Sequence, residues 1–460
     1  MSHFDTSDSP AKNQKFLFTR NPGSLRLVWL LSYPIILANM SESLLGVVDT
    51  YMVSQLGVIE IGAVGLGAMH AWLFYLPVMG LAMGLNTFVA QSYGARKMKD
   101  CGFITWQGLY LALISGSMIL LAIPFVPLVF DLAGPTAEVK RLGITYLSWR
   151  MIDAPAFMIA ATASSFFRGI GDTKTPMKIG IAINIVNVIL NYGLIYGNLG
   201  LPRLEVQGSA IGSALASILG GGVYLVLFLS KRLHPYANRT FVKPCWHEFV
   251  RLFKVGAPIG LLRFLDVGSF VIFSVIISRL GNAQLAANQI AIQLMSVSYT
   301  TGMAISLAAT TLVGQYIGAR QLGMAENSTY NALKLAMSFM VFVGLVFLLF
   351  PEEMITLFNN DTDVIRFGRE ALLYAAFFQA FDALAVIFIG ALRGAGDTRW
   401  TALAAFVGAW IIFLPLAYFL AFTLELGFGG AWLSATIYVC LLGLACVYRF
   451  RQGVWKKITI

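Results

Sequence analysis

Long apolar segments recur along the chain and are separated by short polar loops. Stretches close to the roughly 20 residues that a membrane-spanning helix needs lie, for example, at 104–123, 332–350 and 402–422. We count twelve such segments, six in each half. They are predicted at roughly 26–52, 60–84, 103–125, 140–164, 177–197, 208–229, 252–278, 285–310, 329–350, 367–390, 401–422 and 428–448. The pattern predicts an all-α integral membrane protein.

The two halves of the chain repeat one another. The string R-G-x-G-D-T occurs at 168–173 and again at 393–398, which is 225 residues later. Pro34 and Pro258 are 224 residues apart, and VAQSYGAR and VGQYIGAR keep the same spacing. A register shared by several landmarks indicates an internal duplication. Because each half has an even number of spans, the twelve helices are predicted to form two parallel-repeat six-helix bundles.

Polar segments give the expected domain boundaries. We expect an N-terminal bundle with its cytoplasmic tail at 1–230, a cytoplasmic linker at 231–250 and a C-terminal bundle at 251–460. The twin R-G-x-G-D-T strings are interpreted as tight cytoplasmic turns, since glycine permits their backbone conformation. Asp172, Thr173 or Thr175 is expected to cap the helix that follows the first of them.

Composition and charge support a membrane protein. Hydrophobic residues make up 58% of the chain and charged residues only 12%, against about 25% charged residues in soluble proteins. Basic residues concentrate in the N-terminal tail, the central linker, the C-terminal tail and alternate loops. The positive-inside rule therefore places both termini and the linker in the cytoplasm. This topology accounts for the net charge of +10 without a nucleic-acid partner.

Acidic residues within the predicted spans are the first candidates for function, because charge at mid-bilayer costs about 2.5–3.5 kcal/mol on insertion scales. Glu42 and Asp49 lie in span 1, Asp266 in span 7 and Asp382 in span 10. Glu42 and Asp266 are equivalent in the repeat, whereas the counterpart of Asp49 is Phe273. Two simpler interpretations stay open: Asp49 as an interfacial carboxylate, and Glu42 as a solvated group or one bonded to its neighbouring serines.

Asparagines in span 5 form a second candidate group. Asn184, Asn187 and Asn191 are three and four residues apart, so they share a helix face. One interpretation is polar contact between packed helices. The other is a wall of amide oxygens facing Asp49, which together with a carboxylate suits a hard cation such as Na⁺.

Other polar positions in the spans have a structural or a functional interpretation. Arg263 precedes Asp266 by three residues, which favours an ion pair between them. Pro34 and Pro258 each remove a helix hydrogen bond and permit either a fixed kink or a gating bend. Asp153, two residues before a proline, is interpreted as a cap at a broken helix or a polar group in a cavity. The four histidines are scattered, so an enzyme is not predicted.

These strings together resemble the multidrug and toxic compound extrusion (MATE) family, and most of all its bacterial NorM-type branch. The resemblance rests on YPIILANM, GVVDTYMVSQLG, the two R-G-x-G-D-T loops, GAPIG, ANQIA and QAFDAL, and covers essentially the whole chain. It implies a secondary antiporter that exports organic, mostly cationic, drugs in exchange for Na⁺ or H⁺ by alternating access. No cofactor other than this coupling ion is expected.

The resemblance also implies roles for individual residues. Asp49, Asp266 and Asp382 match the family's acids in spans 1, 7 and 10, although glutamate is usual at the span-7 position. Asn187 matches the span-5 asparagine, and Asn191 stands where some relatives carry an acid. The candidate cation-coupling and substrate-binding residues are Asp49, Asn187, Asn191, Asp266, Asp382 and Glu42. Na⁺ is a candidate ligand at Asp49, Asn187, Asp266 and Asp382.

The expected setting follows from the same resemblance. We expect a multi-pass monomer in a bacterial inner membrane, in contact with the lipid bilayer and with small cationic drugs. The alternative is a lipid-linked oligosaccharide flippase of similar architecture. Such a flippase would favour a basic cavity for its phosphates, whereas the charges in these spans are more acidic than basic.

Overall fold

The computed structural model describes residues 23–458 and residue 460. The basic tail residues before this range, which support the predicted cytoplasmic N-terminus, lie outside the described residues. The first half contains α1 (Leu25–Ser54), α2 (Val58–Gly94), α3 (Met98–Leu121), α4 (Val126–Ala133), α5 (Ala137–Ile152), α6 (Ala154–Gly169), α7 (Lys174–Tyr196) and α8 (Glu205–Phe228). The second contains α9 (Trp246–Ser278), α10 (Asn282–Gly318), α11 (Leu322–Leu349), α12 (Pro351–Thr356), α13 (Thr362–Ala395), α14 (Thr398–Phe406), α15 (Leu414–Tyr418) and α16 (Gly427–Arg451).

The predicted all-α membrane fold is confirmed. Within the described part of the chain, eleven helical segments are long and apolar enough to cross a membrane. The remaining predicted span, at 140–164, is formed by α5 and α6, which are 16 residues each and meet at Asp153. Pro155 stands in the first turn of α6, where a missing backbone N–H is tolerated. The local sequence therefore divides this span into two shorter helices, as the Asp-Ala-Pro string indicates.

The described helices pack into two compact units whose limits fall inside helices. One unit comprises Leu37–Gly260, and the other comprises Gly23–Ile36 together with Leu261–Ile460. The limits lie in α1 and α9, just after Pro34 and Pro258. Helices α1 and α9 thus each contribute their two parts to different units. The sequence boundaries near 230 and 250 stay a prediction.

In the first unit, glycines hold the N-terminal part of α9 against α2. A Cβ added at Gly80 would lie 2.1 Å from the Gly260 nitrogen, and one at Gly260 would lie 1.9 Å from the Pro77 carbonyl oxygen. One turn away, a Cβ at Gly84 would lie 2.9 Å from the Gly256 Cα. Small residues four apart allow helix backbones to approach this closely in membranes.

The twin R-G-x-G-D-T strings form matching turns, as predicted. Gly171 has φ +87° and Gly396 has φ +91°, a left-handed conformation that favours glycine. Asp172 accepts a hydrogen bond from the Thr175 amide at 3.0 Å at the start of α7, so it acts as the predicted cap. Asp397, its counterpart, instead forms an ion pair at 2.8 Å with an arginine of α16. The turns are thus equivalent in backbone and different in side-chain use.

We predict that Gly80→Ala destabilises the protein by about 1–3 kcal/mol or more, because overpacking forces backbone shifts. Gly65→Ala on the same helix is the matched control, since nothing lies within 4 Å of a Cβ there. The measurement is thermal unfolding of the two purified variants in one detergent. Equal midpoints for the two variants would show that close contact between α2 and α9 is not needed.

Candidate functional site

The first unit brings Asp49 of α1 together with two asparagines of α7. The Asn191 amide nitrogen donates to Asp49 Oδ1 at 2.9 Å and to Asn187 Oδ1 at 2.9 Å. The Asn187 amide nitrogen donates in turn to Ser213 Oγ of α8 at 3.2 Å. Both asparagines are buried, while Asp49 is half-buried. The result is a carboxylate whose hydrogen-bond partner is a neutral amide.

One amide oxygen of this cluster has no partner. Asn191 Oδ1 is buried and makes no hydrogen bond among the described residues. It packs against Gly212 of α8, where a Cβ would lie only 2.1 Å from it. An unsatisfied buried acceptor costs about 1–3 kcal/mol. The donor set of one carboxylate and neutral oxygens therefore fits a hard cation, although the Asn191 amide turns its nitrogen, and not this oxygen, toward Asp49.

The remaining first-unit candidates lie apart from this cluster. The Asn184 amide donates to Ser41 Oγ of α1 at 2.9 Å, which is a polar contact between packed helices. Glu42 is exposed, and the part of the chain that the structure describes gives it no hydrogen bond to Ser41 or Ser43. Of the three span-5 asparagines, only Asn187 and Asn191 therefore belong to the Asp49 cluster.

The second unit assembles Asp266, Asp382 and a tyrosine that sequence reasoning missed. The Tyr299 hydroxyl of α10 donates to Asp266 Oδ2 of α9 at 3.4 Å. Asp382 of α13 is close enough to interact electrostatically with both Asp266 and Tyr299. All three side chains are half-buried. Two acids predicted from different spans thus lie in one cluster, with a phenol between the helices.

The direct ion pair predicted between Arg263 and Asp266 is not present among the described residues. The Arg263 guanidinium instead reaches α10, where Nη1 donates to the Tyr299 hydroxyl at 2.6 Å. Its Nη2 contacts Met303 Sδ at 3.1 Å. Arg263 and Asp266 therefore share Tyr299 as a common partner. Spacing along α9 shows that the two residues share a face, but the direction of a long side chain depends on the neighbouring helix.

A third charged cluster lies at the break between α5 and α6. The Arg150 Nη1 donates to Asp153 Oδ2 at 3.2 Å, and the Tyr75 hydroxyl of α2 donates to Asp153 Oδ1 at 2.7 Å. Asp153 is fully buried. Arg150 also interacts electrostatically with Asp49. The spacing R-x-x-D, shared with Arg263 and Asp266, is the sequence signal that points to this cluster.

The repeat register shows where the two units differ chemically. Phe273, the counterpart of Asp49, is buried in the apolar core of the second unit and packs against Phe413 and Trp432. Tyr75 and Tyr299, by contrast, are equivalent residues 224 apart, and each bonds a carboxylate. No group of three or more metal-ligating His, Cys, Asp or Glu side chains occurs between residues 23 and 458.

Comparison with known proteins places the chain in a family. The family model MatE matches residues 34–193 and 258–419, one match in each half. A probable multidrug resistance protein NorM from Thermotoga maritima is 27% identical over 428 residues, covering 93% of this chain and 92% of the relative. A multidrug resistance protein NorM from Aliivibrio fischeri is 32% identical over 403 residues, covering 85% of this chain and 86% of the relative.

A solved structure shares the fold. It is an outward-facing conformation of a multidrug resistance MATE family transporter, with a TM-score of 0.88 and 20% identity, and the match covers 96% of this chain and 98% of that one. At this identity the likeness concerns the fold alone. The two family matches agree with the duplication that the repeat register predicts.

We predict that Asp153→Ala lowers the free energy of unfolding by about 3–5 kcal/mol, because it leaves the Arg150 charge without its ion-pair partner inside the unit. Asp131→Ala is the control: this residue pairs with Lys140, but its side chain is 56% exposed, and such pairs are worth about 0–1 kcal/mol. Thermal unfolding of the purified variants measures both effects. A similar small loss for the two variants would contradict the structural role of the buried pair.

Proposed function

The chain belongs to the multidrug and toxic compound extrusion (MATE) family, and we propose that it is a secondary active multidrug efflux antiporter. In this proposal it exports organic, mostly cationic, compounds in exchange for Na⁺ or H⁺ by alternating access. The family matches in both halves and the multidrug resistance relatives support the transporter class.

The main support for antiport is a set of carboxylates on membrane helices that have no ion-pair partner. Asp49, Asp266 and Asp382 take part in no ion pair among the described residues, although all three lie on apolar membrane helices. Charge in such a position is expensive and favours a functional role. Each carboxylate can neutralise one incoming cation, so an organic cation and the coupling ion compete for it.

Competition for one carboxylate makes exchange obligatory, because the site releases the drug when the ion binds. Exchange of one monovalent organic cation for one Na⁺ or H⁺ moves no net charge, so the concentration gradient of the coupling ion drives export. A ten-fold ion gradient is worth about 1.4 kcal/mol and supports about a ten-fold gradient of drug without ATP.

In the first unit, the amides around Asp49 affect whether the coupling ion is Na⁺ or H⁺. A proton requires only the carboxylate. Na⁺ requires several oxygens, and rotation of the Asn191 amide would exchange its donating nitrogen for the unpaired Oδ1. Asn187 adds a further oxygen, which already accepts a hydrogen bond from Asn191. This cluster thus supports Asp49, Asn187 and Asn191 as one coupling site.

In the second unit, Asp266 and Asp382 support binding of a cation between helices. Two carboxylates that interact electrostatically repel one another when both are ionised. A proton, Na⁺ or an organic ammonium group relieves this repulsion. The ring of Tyr299 adds an aromatic face beside the pair, and aromatic faces attract organic cations.

The two proline helices support a gating role for Pro34 and Pro258. Asp49 lies beyond Pro34 on α1, and Asp266 lies beyond Pro258 on α9. In this proposal, bending at either proline moves the carboxylate that follows it. The limits of the two compact units fall close to the same residues.

The proposed function includes a membrane location, a topology and a set of partners. We propose a multi-pass monomer in a bacterial inner membrane, with bundles at 1–230 and 251–460. Both termini and the linker at 231–250 would lie in the cytoplasm. Lipid and small cationic drugs are its partners, and Na⁺ or H⁺ is its coupling ion. Nothing in the comparisons favours the flippase alternative, and the carboxylate clusters are poorly suited to lipid phosphates.

We predict that Asp49→Asn, Asp266→Asn and Asp382→Asn each reduce ethidium efflux by about ten-fold or more, since a lost charge-assisted contact is worth about 1.5–3 kcal/mol. The measurement is ethidium accumulation in a drug-sensitive host at matched expression. Asp100→Asn, at an exposed position at the start of α3, is the control and should transport normally. Normal export by all three variants would exclude the carboxylate mechanism.

We predict that Asn191→Leu selectively weakens Na⁺-driven export if the first unit couples transport, because leucine removes a cation ligand but leaves Asp49 able to take a proton. The measurement is drug export in proteoliposomes with a Na⁺ gradient or a pH gradient imposed separately. The same assay on the unaltered protein identifies its coupling ion. Asn184→Leu is the control, since Asn184 bonds Ser41 outside the cluster. Unchanged Na⁺-driven export by Asn191→Leu would place Na⁺ coupling elsewhere, with Asp266 and Asp382 as the remaining candidates.

A further inference from the structure

The segment that connects α8 to α9 is fixed along the first unit. This strap, residues 231–245, begins with a short 3₁₀ helix, Lys231–Tyr236. The buried Asn238 amide nitrogen donates to the Ser230 carbonyl at 3.0 Å and to the Phe228 carbonyl, so it satisfies backbone oxygens at the end of α8. The strap, α3 and α8 all belong to the first unit.

Side chains of α3 hold the backbone of the strap. The Trp106 indole, the Gln107 amide and the Tyr110 hydroxyl each donate to a carbonyl of the strap, at 3.1, 3.0 and 2.7 Å. The Gln107 side chain also accepts a hydrogen bond from the Cys245 amide at 2.8 Å. Non-helical backbone is tolerated at membrane depth where protein groups satisfy it in this way. Because the three α3 residues stand near the start of the predicted span 103–125, the strap lies at the edge of the apolar layer.

The outward face of the strap combines aromatic and basic side chains. Phe241 is 75% exposed, and Trp246, the first residue of α9, is 78% exposed. Aromatic rings with this exposure are typical of the level at which membrane helices meet the lipid headgroups. Four basic side chains of the strap are exposed as well: Lys231, Arg232, Arg239 and Lys243.

These basic side chains are not neutralised by the part of the chain that the structure describes. The strap contains no acidic residue, and no ion pair found between residues 23 and 458 includes any of the four. Glu248, the acid closest in sequence, pairs with Arg251 at 2.6 Å. Arg239 Nε donates to the Leu229 carbonyl at 2.8 Å, which leaves the outer guanidinium nitrogens for an oxyanion.

We propose that the strap binds anionic phospholipids of the adjacent leaflet. Arg239 and Lys243 contact the headgroup phosphate, while the rings of Phe241 and Trp246 insert where headgroups meet acyl chains. A soluble phosphate has the same charge but no acyl chain, so the exposed rings favour the lipid. The contacts with α3 hold both kinds of side chain in place, so binding orders little of the chain. The proposal rests on the membrane fold and is independent of the proposed transport function.

The test is native mass spectrometry of the purified full-length protein, titrated with phosphatidylglycerol or with phosphatidylcholine of the same chain length. The first phosphatidylglycerol should bind with the lower Kd. Arg239→Gln combined with Lys243→Gln should raise this Kd roughly 25-fold, because each basic residue beside an anionic headgroup layer is worth about a factor of five. The Kd for phosphatidylcholine should stay nearly unchanged.

Lys97→Gln combined with Lys99→Gln is the matched control. These lysines lie at the start of α3 and outside the strap, are exposed, and belong to no ion pair among the described residues. The control removes the same charge from the same end of α3 and should leave the Kd for phosphatidylglycerol close to that of the unaltered protein. An equal loss in the control would indicate general attraction to charge and overturn the site.

Three other results would also overturn the proposal. The strap variant could bind phosphatidylglycerol like the unaltered protein. It could lose both lipids equally, which would indicate a structural role for the two basic residues. Finally, glycerol phosphate, the soluble part of the headgroup, should not displace phosphatidylglycerol; full displacement would identify a site for a soluble anion.

Discussion

A charge on a membrane helix needs a partner, and this requirement organises the polar interior of the protein. Arg150 and Asp153 meet it by pairing with each other, with Tyr75 completing the hydrogen bonds of the carboxylate. Asp49 meets it with the amide of Asn191. A sealed pair contributes to stability and is unavailable for exchange, whereas a carboxylate held by an amide can still accept a cation. The difference separates structural charges from candidate functional ones.

Duplication supplied two copies of one scaffold, and the chemistry lies where the copies diverge. The position of Asp49 is filled in the second unit by Phe273, which belongs to an aromatic core with Phe413 and Trp432. The second unit places its acids on α9 and α13 instead, beside Tyr299. Backbone turns at Gly171 and Gly396 remain the same. The two turns have thus stayed equivalent while the sites have become unequal.

Apolar length and turn chemistry were sufficient to predict the helices from the sequence, because both depend on neighbours along the chain. The break at Asp153 was also visible, since a proline follows it. Contacts between helices were not predicted: Tyr299 looks like an ordinary span residue until α10 is placed beside α9, and the R-x-x-D spacing relates Arg150 to Asp153 without indicating that Tyr75 of α2 completes the cluster. Arg263 was assigned to the wrong direct partner for the same reason, because helix periodicity gives a face and no information about which helix lies opposite.

The glycine contacts show why the limits of the two compact units could not be predicted from the sequence. Gly256 and Gly260 allow α9 to touch the α2 backbone, whereas their counterparts on α1, Ser32 and Ile36, carry side chains. Composition marks these positions only as small or apolar. Their effect depends on the facing residue, such as Gly80, which a Cβ would drive into the Gly260 backbone. Close helix packing is therefore a property of residue pairs on different helices, and the same holds for the charged clusters.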